Sequence, residues 1–143
     1  MARLYQTFDD LYSKFIEIVG VDNFELPQTP DGKYALVDEA LNRLNLFLEL
    51  FEEDEEIQLN RETELFNRTL SLGQLELAAN YMCLIIYERI FSLFVSTYDV
   101  MQDDIGLKNY KAQADARKQK IDMQEAKIKH IQLKIYDDFS YEN

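Results

Sequence analysis

The chain is poor in the residues from which most small sites are built. Its 143 residues include one cysteine, one histidine, four glycines, two prolines and no tryptophan. A single cysteine rules out an intrachain disulfide. Cys83 lies within Tyr81-Met82-Cys83-Leu84-Ile85-Ile86 and reads as a small buried hydrophobe. One Cys and one His cannot supply a four-ligand zinc site of the usual kind. Neither G-x-G-x-x-G nor a P-loop is present, so no glycine-rich phosphate cradle is expected. So few glycines and prolines also argue against a strand-and-turn protein, whose tight turns need both. Residues 1–10 contain no apolar core of a signal peptide, which points to synthesis in the cytoplasm.

What is present is apolar and acidic. Hydrophobic residues make up 47%, too many for a disordered chain, and the length fits one domain with a substantial core. The net charge of −12 is unevenly spread. Residues 1–106 carry 7 basic and 21 acidic side chains, and 107–143 carry 8 and 6. The acidic extreme is Glu52-Glu53-Asp54-Glu55-Glu56, which reads as a solvated loop. An acidic body does not attract nucleic acid, because binding rests on Lys and Arg neutralising phosphates.

Periodicity predicts helices. Leu4, Phe8, Leu11, Tyr12, Phe15, Ile16 and Val19 share one helical face, with Gly20 as a stop. Residues 21–33, with Pro27, Pro30 and Asp31-Gly32, read as a loop containing a short extended piece at Phe24-Glu25-Leu26. A second helix is expected over 34–51. Residues 57–69 are ambiguous, with Leu65 and Phe66 tucked into the core from a short helix or turn. Ser71-Leu72-Gly73-Gln74 has capping-box spacing and starts a third helix over 72–100. That helix is apolar nearly all round, so it is either central to the domain or covered by a neighbouring subunit. Glu88-Arg89 interrupts it, so a membrane span is not expected. A fourth helix over 107–136 carries the seam Ile121, Gln124, Ile128, Ile131 and Ile135, thinning upstream to Tyr110, Ala114 and Arg117; it either packs in a hairpin along the third or reaches with its upper part beyond the domain. The fold class is therefore all-α: an antiparallel bundle of about four helices over 1–136, with an extended aromatic tail over 137–143.

Few residues invite a chemical role. His130 has lysines as local neighbours, Lys127, Lys129 and Lys134, and reads as a surface residue without an oriented partner. Asp99, Asp103 and Asp104 could at most hold a weak cation. The carboxylates lack the Glu-x-x-His order of di-iron bundles and the order of an EF-hand loop. No cofactor is implied, and the chain is read as non-enzymatic. The basic residues of the last helix do not share one face, so a nucleic-acid groove is not expected. Phe139 and Tyr141 stand two apart near the end of the chain. An extended tail would turn both to one side, either back onto the core or onto another protein by strand addition or aromatic anchoring.

The order of these parts resembles the helical neck, or head–tail connector (adaptor), proteins of tailed bacteriophages. Leu11-Tyr12-Ser13-Lys14-Phe15-Ile16 resembles the family's first helix, and Leu41-Asn42-Arg43-Leu44-Asn45-Leu46-Phe47 its second. Leu70-Ser71-Leu72-Gly73-Gln74-Leu75-Glu76 resembles the start of its central helix. Asp104-Ile105-Gly106-Leu107-Lys108-Asn109-Tyr110-Lys111 resembles the turn into its last helix, and Asp138-Phe139-Ser140-Tyr141 its aromatic terminus. Two features depart from the pattern: the central helix lacks Trp, and the last helix is longer and more basic.

The resemblance implies a virion structural protein of the neck, assembled in the host cytoplasm. It implies a homo-oligomeric ring, commonly of twelve copies, between the portal protein and a downstream neck or tail-completion protein. DNA would pass through the ring without sequence-specific binding. Phe139 and Tyr141 would dock on the portal, and Glu52, Glu53, Asp54, Glu55 and Glu56 would face the lumen and repel phosphates. Two other readings stay open. One is a small acidic regulatory module of the anti-repressor or antitoxin type, occupying a basic partner site. The other is a carboxylate-dependent enzyme in a helical bundle, which would need a divalent metal.

Overall fold

Four helices and a small sheet make up the computed structural model, which describes residues 4–51, 55–101 and 107–142. The elements are β1 (Tyr5–Thr7), α1 (Phe8–Ile18), α2 (Pro30–Leu48), β2 (Leu59–Asn60), β3 (Leu65–Leu70), α3 (Leu72–Met101) and α4 (Leu107–Glu142). Short 3₁₀ turns lie at Asn23–Glu25 and Glu49–Phe51. Helices α1, α2 and α4 all pack on α3. The core is drawn from Leu11 and Phe15 of α1, Leu36, Val37, Ala40, Leu41 and Leu44 of α2, and Leu75 to Tyr87 of α3.

The sheet is the main departure from the expected all-helical bundle. Its order is β1-β3-β2, antiparallel throughout, with Leu59 opposite Phe66 and Tyr5 opposite Leu70. Residues 57–69 are therefore a hairpin. Alternation places Phe66 and Leu70 in the core, while Leu65 stays exposed instead of tucking in. The hairpin turn is built from side chains. Asn60 Oδ1 accepts from the backbone N–H of Glu62 and Thr63, and Glu64 adopts the left-handed conformation at φ 57°. Glu64 is then held by two neighbours: its carbonyl accepts from the Phe8 N–H, and its carboxylate accepts from the Tyr34 hydroxyl.

Helix boundaries shift for local reasons. Residues 5–7 pair with β3, so α1 starts at Phe8, and Thr7 caps it with Asp10 in a reciprocal capping box. Helix α2 starts at Pro30 rather than near residue 34. Thr29 is its N-cap, accepting from Gly32 N–H at 3.0 Å, and Pro30 takes the first helical position, where its missing N–H costs nothing. Asp31-Gly32 is thus part of a first helical turn, not a loop turn. The segment around Phe24 is a 3₁₀ turn rather than extended. The box at Ser71 and Gln74 forms as expected, with bonds of 3.1 and 3.2 Å.

Helix α4 does not stop at residue 136. It runs to Glu142, because 107–143 contains neither Gly nor Pro to end it. The expected extended tail is helical over 137–142. On a helix, positions two apart lie roughly 200° apart, so the reason for pairing Phe139 with Tyr141 on one side falls away.

Candidate functional site

The functional geometry of this chain is a division of α3 into two parts. From Leu75 to Tyr87 nearly every position is buried, with α1, α2 and α4 around it. From 88 to 97 no residue is buried, and the same holds for 109–120 of α4. Here the two helices form an arm that serves mainly as its own cover. Phe94 stacks on Tyr110 with ring centroids 5.5 Å apart, and the Arg117 guanidinium lies 4.2 Å over the Phe94 ring. Leu93 is 69% exposed. Leu72–Thr97 has the length and mean hydropathy of a membrane span, but half of its apolar window is buried inside the fold.

Ion pairs and hydrogen bonds hold the base of the arm. Arg43 Nη1 lies 2.9 Å from Glu88 Oε1, as an ion pair rather than an aligned hydrogen bond. Arg89 Nη2 lies 2.8 Å from Glu39 Oε2. Both link α2 to α3, and exposed pairs of this kind contribute about 0.2–1 kcal/mol each. On the other side, Lys120 Nζ donates to the Gly20 carbonyl at 2.6 Å, and the Tyr87 hydroxyl accepts from the Gly20 N–H at 3.2 Å. Lys120 also lies 4.6 Å over the Tyr87 ring. Burial raises the Tyr87 hydroxyl above its usual pKa. These groups border a cleft of about 510 Å³, lined also by Asp22, Glu25, Ile90 and Arg117. The cleft mixes both signs of charge, and Lys120 and Tyr87 are already engaged with backbone there.

Deeper in the hairpin, the seam of α4 meets α3. Gln124 and Ile128 are buried, and Ile121, Ile131 and Ile135 are partly so. Gln124 Nε2 donates to Asn80 Oδ1 at 2.7 Å and to the Asn80 carbonyl at 3.1 Å. Asn80 Nδ2 donates in turn to the Glu76 carbonyl.

The residues singled out from sequence are not brought together. Glu52, Glu53 and Asp54 lie outside the described residues. Glu55 and Glu56 are exposed beside β3, where Asn67 Nδ2 reaches a Glu55 carboxylate oxygen and the Glu56 carbonyl. Phe139 and Tyr141 belong to the last turns of α4, and their side chains lie outside the described residues. Asp103 and Asp104 lie outside them too, as does the side chain of Asp99. Cys83 is buried, and burial pushes its thiol from the ordinary 9.0 up to about 12, so it is a poor nucleophile. His130 is exposed, on a shallow groove with Asn80, Ala126, Lys127 and Ile131. Among the described residues no group of three or more His, Cys, Asp or Glu could hold a metal ion. The arm was legible in sequence only as the alternative in which the upper part of the fourth helix reaches beyond the domain. Its signals were the thinning of the α4 seam upstream to Tyr110, Ala114 and Arg117 and an apolar third helix continuing past Glu88-Arg89.

No solved structure matches the chain. The SPbeta prophage-derived uncharacterized protein YomZ of Bacillus subtilis (strain 168) is 24% identical over 133 residues, covering 93% of this chain and 98% of that protein. The family described as "YomZ prophage protein" matches residues 5–137, which takes in every element from β1 through nearly all of α4. By that match the chain belongs to the YomZ prophage protein family.

Proposed function

We propose that the chain is a non-enzymatic structural protein of the virion neck, a head–tail connector that assembles as a ring between the portal and the tail. The single observation that carries this reading is the arm. A helix apolar nearly all round leaves the body with one partner helix and exposes Leu93, so part of its apolar surface awaits cover from another subunit. Membership of a prophage family and the resemblance to connectors in the order of the helices support the same reading. A ring also requires unlike surfaces on each subunit, and the uneven charge of this chain supplies them. The acidic body lets DNA pass, since it offers phosphates no counter-charge.

The test is mass photometry of the protein mixed with portal rings of its own phage, for the full chain and for a truncation after Tyr136. A discrete step of many copies, lost on truncation or in Phe139→Ala with Tyr141→Ala, is the expected result. A full chain that adds no mass to the portal refutes portal docking. The acidic body also suits a regulatory module that occupies a basic partner site, and stoichiometry separates the two. Such a module forms one-to-one or two-to-two complexes and never rings.

A further inference from the structure

We infer that the chain associates head to tail with a second copy, the basic α4 side of the two-helix arm of one protomer seating on the acidic, leucine-lined end of α2 in the next. The inference deepens the ring reading and rests on it. Two unlike surfaces, one at each end of α4, carry it. On the α4 side of the arm, residues 107–120 hold five basic side chains and one acidic, while the α3 side with the residues between, 88–106, holds one and four. That is a net +4 against −3, so the basic surface is the α4 side of the arm. Lys111 and Lys118 are exposed and seven residues apart, which places them on one ridge of the helix with Asp115 between them. Arg117 and Lys120 of the same stretch are engaged with Phe94 and Gly20.

At the other end, Leu46 and Leu50 lie one helical turn apart and are 66% and 74% exposed. Glu49 stands between them, and Glu55 and Glu56 follow, all exposed. The Phe51 ring lies 6.2 Å from that of Tyr136, tying this patch to the far end of α4. From residue 113 to residue 136 the helix rises roughly 35 Å. That is several times the ~8–10 Å Debye length at ordinary salt, so the two surfaces cannot neutralise each other within one protomer.

The pairing follows from what each surface excludes. Arm on arm would oppose lysines to lysines, and leucine patch on leucine patch would oppose glutamates. Arm on patch matches charge with counter-charge and gives Leu93 an apolar partner in Leu46 and Leu50. Duplex DNA would satisfy the lysines but offers Leu93 a phosphate backbone instead. A contact between unlike surfaces is heterologous, so repetition closes into a ring or runs on as a filament.

Charge reversal tests this on the full-length chain. Lys111→Glu with Lys118→Glu turns the exposed Lys111–Asp115–Lys118 ridge wholly acidic and takes residues 107–120 from net +4 to 0; Glu49→Lys with Glu56→Lys takes the exposed carboxylates at 49, 55 and 56 from −3 to +1. Sedimentation velocity and mass photometry, alone and with portal rings, report assembly, and circular dichroism confirms that each variant folds. Each double variant is expected to raise the half-assembly concentration by roughly tenfold or more, since opposed like charges cost several kcal/mol. An equimolar mixture of the two variants is expected to restore assembly, because every junction then again pairs unlike charges. Wild type that stays monomeric alone and on portal rings overturns the inference. So does assembly that both variants leave intact, and in that case the ring reading survives. Rescue by mixing, with no mass added to the portal, upholds the inference and removes the connector reading. Salt-sensitive retention of duplex DNA by an otherwise monomeric chain, lost in the Lys111→Glu, Lys118→Glu variant, would assign the arm to nucleic acid and overturn it as well.

Discussion

Replacing Gln124 by Leu isolates what one buried polar contact does in the α3/α4 hairpin. Gln124 is 4% exposed in a seam otherwise made of isoleucines. Its amide donates twice to Asn80, at 2.7 and 3.1 Å. Among the described residues no other donor reaches the part-buried Asn80 Oδ1 once that donor is gone, and leaving a buried acceptor unsatisfied costs about 1–3 kcal/mol, of which a part-buried one carries the lower part. The carbonyl of Asn80 loses less, since it also lies within a helical ladder. Leucine adds apolar burial against this, so the expected net loss is about 1–2 kcal/mol. For a chain of this size that corresponds to roughly 2–8 °C in Tm. The assay is guanidinium unfolding followed by circular dichroism, with the m-value as a control for changes in the unfolded state. The double variant Asn80→Leu with Gln124→Leu removes both polar partners and should recover much of the loss, a coupling of about 1 kcal/mol. If Gln124→Leu is as stable as wild type, or the two changes add within about 0.3–0.5 kcal/mol, the contact is not a lock and the argument fails.

Two further outcomes follow from buried groups. The Cys83 thiol is raised to about 12 in the fold, so its neutral form stabilises fully below the ordinary value of 9.0 and that contribution is lost as pH climbs toward 12. Between those values the unfolded chain binds fewer protons, and stability should fall by up to ~1.4 kcal/mol per pH unit from this group. Partly buried Tyr12 and buried Tyr81 and Tyr87 are raised as well by burial and steepen the same alkaline limb. Cys83→Ala should flatten the limb between pH 9 and 11 in denaturant titrations; an unchanged slope would mean that the thiol is hydrated. Phe66→Ala empties a site that is 1% exposed under the sheet and should cost about 3–5 kcal/mol. A loss below about 1 kcal/mol would mean that β3 is not part of the core.

The helices were legible in the sequence because their signals are local. The Ser71–Gln74 box, the Ile128 seam and the Leu36–Leu44 stripe depend on spacings of three and four residues, and all appear as read. The sheet was not, because β1 pairs with β3 about sixty residues away and the alternation of β3, Phe66 and Leu70 in with Leu65 and Asn67 out, is short and polar. Pairing of that kind leaves little trace in any one window of sequence. Pro30 misled in a simple way: the residue that breaks a helix interior also favours its first position, and Thr29 decides which. The tail misled through its aromatic residues, which suggested strand, while the absence of Gly and Pro let α4 continue. The buried partner of Gln124 could not be named from sequence, since Asn80 lies on another helix.

The apolar excess of α3 posed an either-or: a central helix, or one covered by a neighbour. The structure answers by position along the helix. Up to Tyr87 the domain itself provides cover; from Glu88 to Thr97 no residue is buried. The change comes where Arg43 and Arg89 pair with Glu88 and Glu39, so charged residues mark the exit from the body rather than an interruption of the helix. Those pairs are worth too little to hold an arm rigid by themselves. The Phe94–Tyr110 stack, the Arg117 guanidinium above it and the Lys120–Gly20 bond add to them. An arm used only as a solvated spacer would gain nothing from Leu93, which stays in water despite all of these contacts. An arm used for docking needs just that combination: stiff enough to present a surface, and incomplete until another surface covers it.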